Sequence, residues 1–402
     1  MKNLFKKTTS AFLVLAMLAS CALLLVSCSE KNYAEDNTVI KIAASGPLTG
    51  DAAVYGKAVE NSARLAVKEI NAAGGLDGIM FEFVMADDKH DPTLVATNYA
   101  SLYEGGAQIT LGTVTTGPAL EFKELSKDDN VFVLTPSASG DAVPEYDNAF
   151  QMCFADSNQG TASANYFNEY YQGKKVGVFY KSDDEYSSGI YNKFKDALDD
   201  SFGTVVEASF KEKENQFATQ VNLLKECDII FMPIYYTPAS QFMEAGKDII
   251  KADAIYFGCD GLDGIDTVKN FDITTVPQEV SYLSHFNSGA TEGAAAAYIA
   301  SYRAEYGEDA PMNQFGAAAY DCVYAIFEAL KAAKADGKEF KVNTSASDFC
   351  DILKEVFTDD DFVFHGVTGA PEENGKSNIS WFDDGTVNKE AVKYIVKEAN
   401  AN

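Results

Sequence analysis

The chain has 402 residues, enough for two or three domains, and its 47% hydrophobic and 23% charged content is that of a globular protein rather than a disordered one. Sixty acidic against 32 basic residues leave a formal net charge of −28, and only two of the basic residues are arginines, Arg64 and Arg303. Nucleic-acid binding needs cationic side chains that displace phosphate counterions, so this composition argues against it, and equally against attraction of the folded body to anionic lipid.

Residues 1–27 read as an export signal. Lys2, Lys6 and Lys7 form a basic start, and an apolar run from Ala11 to Val26 follows, slightly short of the ~20 residues that span a bilayer. The run ends in Leu25-Val26-Ser27-Cys28 and turns polar at Ser29. That stretch looks like a bacterial lipobox, in which the cysteine is lipidated and becomes the new N-terminus. Leu18-Ala19-Ser20-Cys21 also fits, but cleavage there would leave Ala22 to Val26, an apolar segment, on the mature terminus. Cys28 is therefore the expected lipidation site, with an uncleaved signal anchor as the alternative. Both place the body outside the cytoplasm; lipidation at Cys28 makes it a membrane-anchored lipoprotein in the periplasm or on the outer face of the cell membrane.

Residues 28–38 read as a flexible polar tether. Strand and helix then alternate. Val39–Ala44 is a buried strand, a Gly-Pro-Leu-Thr-Gly loop follows, and the helical pattern from about Ala53 to Ala72 stops at Gly74-Gly75. Strand Met80–Ala86 leads to helix Thr93–Tyr103, strand Ile109–Leu111 to a helix opened by Pro118, and strand Val131–Leu134 to a segment broken by glycine and proline. A second series begins beyond Asp156. It has helices over 158–171, 188–198, 217–225 and 239–247, and strands Val176–Tyr180, Thr204–Ser209, Ile229–Phe231 and Ile255–Phe257. Helical stretches at 290–306 and 313–335 come last. Such alternation means parallel sheets covered on both faces, and two series mean two doubly wound lobes. The late helices imply that the chain crosses between lobes more than once. The expected division is lobe 1 from 39–155 and 284–386, and lobe 2 from 156–283 and 387–402.

Ligands of open parallel sheets bind beyond the carboxyl ends of the strands. In lobe 1 those ends are hydroxylic: Thr113-Val114-Thr115-Thr116-Gly117, then Thr135-Pro136-Ser137-Ala138-Ser139-Gly140. Hydroxyls beside free amides at a helix start suit a carboxylate, although Ser and Thr also cap helices. In lobe 2 the ends carry Tyr186, Tyr235 with Tyr236, and Asp260. A lone carboxylate with aromatic walls suits an ammonium group. Taken alone, Asp260-Gly261 fits a turn. Together the two sets fit a zwitterion, held without a guanidinium, since both arginines fall in mid-helix patterns. Cys153, Cys227, Cys259, Cys322 and Cys350 sit mostly in apolar strings and contain no CxxC pair, so they read as buried hydrophobes. The three histidines, His90, His285 and His365, have no metal-ligand spacing. Neither a metal nor a cofactor is expected.

These residues carry a family resemblance. From about Val39 onward the chain resembles the bacterial leucine/isoleucine/valine-binding proteins, a group of type I periplasmic solute-binding proteins of ABC transporters. Its signposts are Gly46-Pro47-Leu48-Thr49-Gly50 with Tyr55-Gly56, Ile70 to Gly75, Asp87-Asp88 with Asp91-Pro92, and the two hydroxylic loops. Phe154-Ala155-Asp156 with Gln159-Gly160, Asp184 to Gly189, Tyr306-Gly307, Tyr320-Asp321 and Gly366 to Gly369 continue the series. The resemblance implies an α/β fold of two doubly wound parallel-sheet lobes joined by a multi-crossing hinge. It implies that Thr116 binds the ligand carboxylate, that Ser137 and Ser139 bind carboxylate and ammonium, and that Asp260 pairs with the ammonium. Tyr55, Tyr186, Tyr235 and Phe315 would wall the side chain. A disulfide known in some members has no counterpart, since His90 and Thr115 stand at its positions, and a polar stretch from Ala370 to Ser377 interrupts the usual run. The implied function is an extracytoplasmic substrate-binding lipoprotein of an ABC importer. It would be a monomer that closes on a small amino acid, branched-chain in type, and docks on permease and ATPase subunits. Relatives also bind amides, aromatic amino acids and other small ligands, so a sensor for another solute is the alternative. An exported enzyme is a weaker one, because the sequence holds no Gly-x-Ser-x-Gly elbow, no His-Glu-x-x-His and no phosphate-loop lysine.

Overall fold

A computed structural model describes residues 31–370, 375–389 and 392–399. The export signal and both candidate lipidation cysteines, Cys21 and Cys28, lie outside the described residues, as does most of the polar interruption after Ala370.

The first βα series runs β1 (Ile40–Gly46), α1 (Ala53–Ala72), β2 (Phe81–Asp87), α2 (Val95–Glu104), β3 (Ile109–Thr113), α3 (Thr116–Asp128), β4 (Phe132–Thr135) and β5 (Ala149–Gln151). The second runs α4 (Asp156–Tyr170), β6 (Val176–Lys181), α5 (Glu185–Ala197), β7 (Val206–Phe210), α6 (Ala218–Leu224), β8 (Ile229–Met232), α7 (Tyr236–Gly246), β9 (Ile255–Gly258) and β10 (Glu279–Ser284). The chain then returns through α8 (Gly293–Tyr306), α9 (Gln314–Ala335), α10 (Ala346–Phe357), β11 (Phe364–Gly366), β12 (Ser377–Trp381), β13 (Val387–Asn388) and β14 (Val392–Lys397).

The strands sort into two large sheets, β2-β1-β3-β4-β5 and β14-β10-β9-β8-β6-β7, with β11-β12-β13 as a small third. All pairs in the first sheet are parallel. In the second, β14 departs from the expected pattern by pairing antiparallel with β10 at the edge. An edge strand needs only one partner and no crossover helix, so a chain end can be added in either direction. The central strands are apolar runs buried on both faces, as parallel strands under helices must be. In lobe 2, Phe179 stacks on Phe242 with ring centroids 4.3 Å apart and on Phe210 at 4.9 Å. Each fully buried phenyl contributes about 1.5–3 kcal/mol. In lobe 1, α9 lies along α1, and Gly316 allows the close approach, since a Cβ there would meet the Ala58 carbonyl oxygen at 2.9 Å.

Residues 31–38, expected as part of a flexible tether, are bound to lobe 1. Asn32 donates to the Asn343 carbonyl at 3.0 Å, Asn37 to the Gly106 carbonyl at 2.8 Å, and the Tyr33 and Tyr103 rings lie 5.1 Å apart.

The crossings between lobes converge on one polar cluster. Lys389 donates to the Met152 carbonyl and to Thr368 Oγ1, each at 2.6 Å. Asp321, on α9, accepts from the Val367 and Thr368 amides and from the Thr368 hydroxyl. Enclosure pulls the Lys389 ammonium down to about 8 although Asp321 opposes that shift. The Phe154 and His285 rings pack edge-on 5.0 Å apart at the same level.

All five described cysteines are unpaired and buried. Burial pushes every thiol up, Cys350 to about 12, which suppresses the reactive thiolate. Alkylation followed by peptide mass mapping should leave all five unlabelled in the native protein and label all five in denaturant; a native-state adduct at any of them would contradict this packing. Asp321→Ala should lower stability by about 3–5 kcal/mol, because it strands two amides and removes the anion facing Lys389. Denaturant unfolding measures that loss, and an unchanged midpoint would refute it.

Candidate ligand-binding site

The lobe 1 loops are cross-linked by their own hydroxyls. Thr116 opens α3, is 2% exposed, and accepts the Gly140 amide on Oγ1 at 3.2 Å. Ser137 donates to the Val114 carbonyl at 2.6 Å, and Thr135 Oγ1 accepts the Ala138 amide at 3.1 Å. Neither Thr115, which holds the N-cap position, nor Thr116 caps α3 with its side chain. The hydroxyls therefore tie one loop to the other and leave the first amides of α3 free of intrahelical partners. His90 Nδ1 lies 2.9 Å from Thr115 Oγ1, so a hydrogen bond joins the loop after β2 to the start of α3. Ser139 Oγ is buried without a partner.

The lobe 2 groups come from three strand ends. Asp260 begins a short turn after β9, and its Oδ1 accepts the Tyr186 hydroxyl at 2.6 Å. The Gly261 amide donates to that same hydroxyl at 2.9 Å. A Cβ on Gly261 would sit 2.4 Å from the Tyr186 oxygen, so the Asp-Gly pair serves the tyrosine as well as the turn. The Asp260 amide donates to Gln159 Oε1 at 3.1 Å. Burial raises the Asp260 carboxyl to about 6, with the Tyr186 hydroxyl the first of the groups opposing the shift. Tyr186 lies in the first turn of α5, which Asp184 caps by accepting the Ser187 amide. Tyr235 sits at the start of α7 and stacks on Tyr186, with centroids 4.5 Å apart and planes 6° from parallel.

The lobes are closed on each other. Tyr55 reaches across from α1, donating to the Gly261 carbonyl at 2.5 Å and accepting the Tyr236 amide at 3.3 Å. Its ring packs edge-on against Phe315 at 4.8 Å and Tyr236 at 4.7 Å. Thr237 donates to the Asp51 carbonyl, the Gln314 amide to Asp263, and His90 lies edge-on to Tyr235 at 5.2 Å. Tyr55, Tyr186, Tyr235, Asp260 and Phe315 thus come together where the lobes meet, Ser139 adjoins them through the Asp156 amide, and Thr116 and Ser137 brace the lobe 1 loops; all but Tyr235 are below a tenth exposed. Thr116 and Asp260 are both buried in this closed arrangement. Arg64 is occupied by Glu60 and the Phe83 carbonyl, and Arg303 by the carbonyls of Glu308 and Ala310, so neither serves the loops. Among the described residues no group of three or more His, Cys, Asp or Glu is placed to hold a metal ion.

Sequence reasoning assigned no role to His90, Gln159 or Asp156. His90 is marked only by its left-handed backbone (φ 63°), which composition does not reveal. Asp156 and Gln159 stood in a quoted motif, but an Asp in the first turn of a helix reads as a dipole partner.

A family model described as periplasmic binding protein matches residues 39–372. A leucine-, isoleucine-, valine-, threonine- and alanine-binding protein of Pseudomonas aeruginosa is 26% identical over 255 residues, covering 62% of this chain and 66% of that protein. Leu/Ile/Val-binding protein homolog 3 of Brucella melitensis is 28% identical over 236 residues, 56% of this chain and 62% of that one. The chain thus spans somewhat less than two thirds of the length of these curated relatives. The structure of the branched-chain amino acid transporter substrate-binding protein LivJ of Streptococcus pneumoniae, in complex with isoleucine, superposes with a TM-score of 0.74. It is 25% identical, with 89% of this chain and 98% of that chain covered. A solute-binding protein of R. palustris in complex with benzoate gives a TM-score of 0.73 at 17% identity, covering 90% and 94%, and bears on the fold alone. With a family match over most of its length, and two doubly wound lobes in contact through Tyr55, Thr237 and Gln314, the chain belongs to the type I periplasmic binding proteins, in the group that includes the leucine/isoleucine/valine-binding proteins.

Proposed function

We propose that this protein is an extracytoplasmic solute receptor of an ABC importer that closes on a small amino acid, branched-chain in type. The observation that carries the reading is Asp260: a buried carboxylate in lobe 2, held by Tyr186, that shares a sealed interface with the hydroxylic loops of lobe 1. The amides of α3, with Thr116 and Ser137 bracing them, receive the carboxylate of the ligand, and Asp260 and Ser139 receive its ammonium group. Tyr55, Tyr186, Tyr235 and Phe315 enclose the side chain. Ligand bridging both lobes stabilises the closed population, and permease and ATPase subunits recognise the closed surface. The reaction is binding alone, without covalent chemistry. Lipidation at Cys28 tethers the receptor to the membrane.

A second reading is a small aromatic acid. It draws on the tyrosine-rich wall. Against it stands Asp260, which would face the acid's own charge.

Asp260→Asn keeps the shape of the site and removes the charge. A charge-assisted hydrogen bond contributes about 1.5–3 kcal/mol, so affinity for leucine should fall roughly ten- to a hundredfold by calorimetry. Because burial raises the Asp260 carboxyl, its contribution to the stability of the empty protein is full below the ordinary range near 4 and lost as pH rises through about 6. The Asn variant lacks that loss, so its unliganded melting temperature at pH 7 should not drop. Thr116→Val should weaken binding by only about 0.5–1.5 kcal/mol, yet cost stability by leaving the Gly140 amide unmet. Ligand ammonium favours the ionised carboxylate, so affinity should be full above about 6 and decline below it. Unchanged leucine affinity in Asp260→Asn, or tighter binding of benzoate than of any amino acid, would overturn the amino-acid reading. For the anchor, Cys28→Ala should leave the membrane fraction or stay unprocessed, whereas fatty-acid labelling that persists in Cys28→Ala and vanishes in Cys21→Ala would move the site to Cys21.

A further inference from the structure

Three buried polar atoms near Asp260 lack hydrogen-bond partners: Ser139 Oγ, Asp156 Oδ1 and Gln159 Nε2. Their residues are 1%, 3% and 2% exposed. An unmet buried polar group costs about 1–3 kcal/mol, so three in one place call for a common partner.

They are neighbours by construction. The Asp156 amide donates to the Ser139 carbonyl at 2.7 Å, which sets the start of α4 against the second hydroxylic loop. Gln159 spends its Oε1 on the Asp260 amide, and its side chain lies near enough to draw the Asp260 carboxyl down although its Nε2 completes no bond. Asp156 reaches toward α5, since a Cβ on Gly189 would lie 3.4 Å from Asp156 Oδ2. Ser139 stands close enough to draw the Asp156 carboxyl down, yet neither Ser139 Oγ nor Asp156 Oδ1 completes a bond. Burial outweighs that pull and pushes Asp156 well above the carboxylate range, with Asp260, Asp141 and Asp184 adding to the rise. The other titratable groups that feel its charge are the Tyr235 phenol and the Cys153 and Cys259 thiols. The charged groups that act most strongly on Asp156, namely Asp260, Asp141 and Asp184, are all acids.

We infer that Asp156 is a second acceptor for the ligand's ammonium group, acting beside Asp260 with Ser139 and Gln159 completing the set, so that the cleft selects solutes carrying a protonated amine and rejects aromatic and hydroxy acids. This deepens, and rests on, the amino-acid reading of the same cleft. An ammonium group offers three N–H donors in a tetrahedral spread. Asp260 Oδ1 already accepts from Tyr186, so one carboxylate alone leaves the ligand short of acceptors. Two carboxylates against one cation also mean that binding draws protons off the pair, because the cation favours both ionised forms.

The test is titration calorimetry of the full chain at pH 6 in two buffers of different ionisation enthalpy, so that proton release is counted. The probes are L-leucine, 3-methylbutylamine, 2-hydroxy-4-methylpentanoate and benzoate. Leucine should bind with proton release and be preferred to the hydroxy acid. Asp156→Asn should release fewer protons and narrow that preference roughly ten- to a hundredfold, the worth of one charge-assisted hydrogen bond. Should Asp156→Asn fail to fold, Asp260→Asn supplies the check, since it should still release protons through Asp156. A folded Asp156→Asn with wild-type selectivity and proton count, or an Asp260→Asn that binds leucine with no release, overturns the role of Asp156 and leaves the amino-acid reading standing. Amine binding that depends on Asp156 while leucine fails keeps this inference and overturns the amino-acid reading. Benzoate as the best ligand, or no binding of either ammonium probe, overturns both.

Discussion

Asp260 is 2% exposed at the end of β9, and a carboxylate is hard to keep ionised there. The surroundings answer that difficulty piece by piece. Tyr186 supplies a hydroxyl, Gly261 gives that hydroxyl room and an amide, and Gln159 fixes the backbone on the other side. Tyr55, from the opposite lobe, closes on the Gly261 carbonyl. The same residues therefore hold the acid and hold the lobes together. This is the coupling a closing receptor needs, because a group brought to Asp260 alters the balance between open and closed states through the contacts that define closure.

The lobe 1 side is organised differently. Its loops contain no charge of their own, and their hydroxyls are mostly consumed in bonds between the loops. What they present is geometry: braced backbone at the start of α3, with the His90–Thr115 bond holding the neighbouring loop. A hydroxyl that fixes an amide can matter to an anion as much as one that touches it. The structural and functional readings of these threonines and serines are in this case the same reading.

The lobes were legible in the sequence because each strand–helix unit has its own period and its own punctuation, and all eight strands expected between Val39 and Phe257 are present. The misses differ in cause. Helix α10 was not marked, although Ser345 accepts the Asp348 amide as an N-cap and Phe349, Leu353 and Phe357 bury one face; both its cap and its amphipathic period were legible in the sequence. Strands β10 and β14 were missed because their pairing joins segments more than a hundred residues apart, and only the sheet tells them where to lie. At the site, residue types at strand ends located Asp260, Tyr186 and Tyr235, while the family resemblance added Tyr55 and Phe315. Neither could show that Ser139, Asp156 and Gln159 would each be left with an unmet polar atom, since that property exists only once three separate segments have met.

The binding of residues 31–38 to lobe 1 sets a frame of reference for the motion. Asn32, Tyr33 and Asn37 make the N-terminal segment part of the same rigid body as Gly106 and Asn343. Any restraint on the chain ahead of Lys31 is then a restraint on lobe 1. Lobe 2 is reached only through the crossings around Met152, His285 and Lys389, so with lobe 1 held, opening and closing would be displacements of the lobe that carries Asp260. The carboxyl-bearing half would sweep through solution and collect ligand, while the hydroxylic half waited in place.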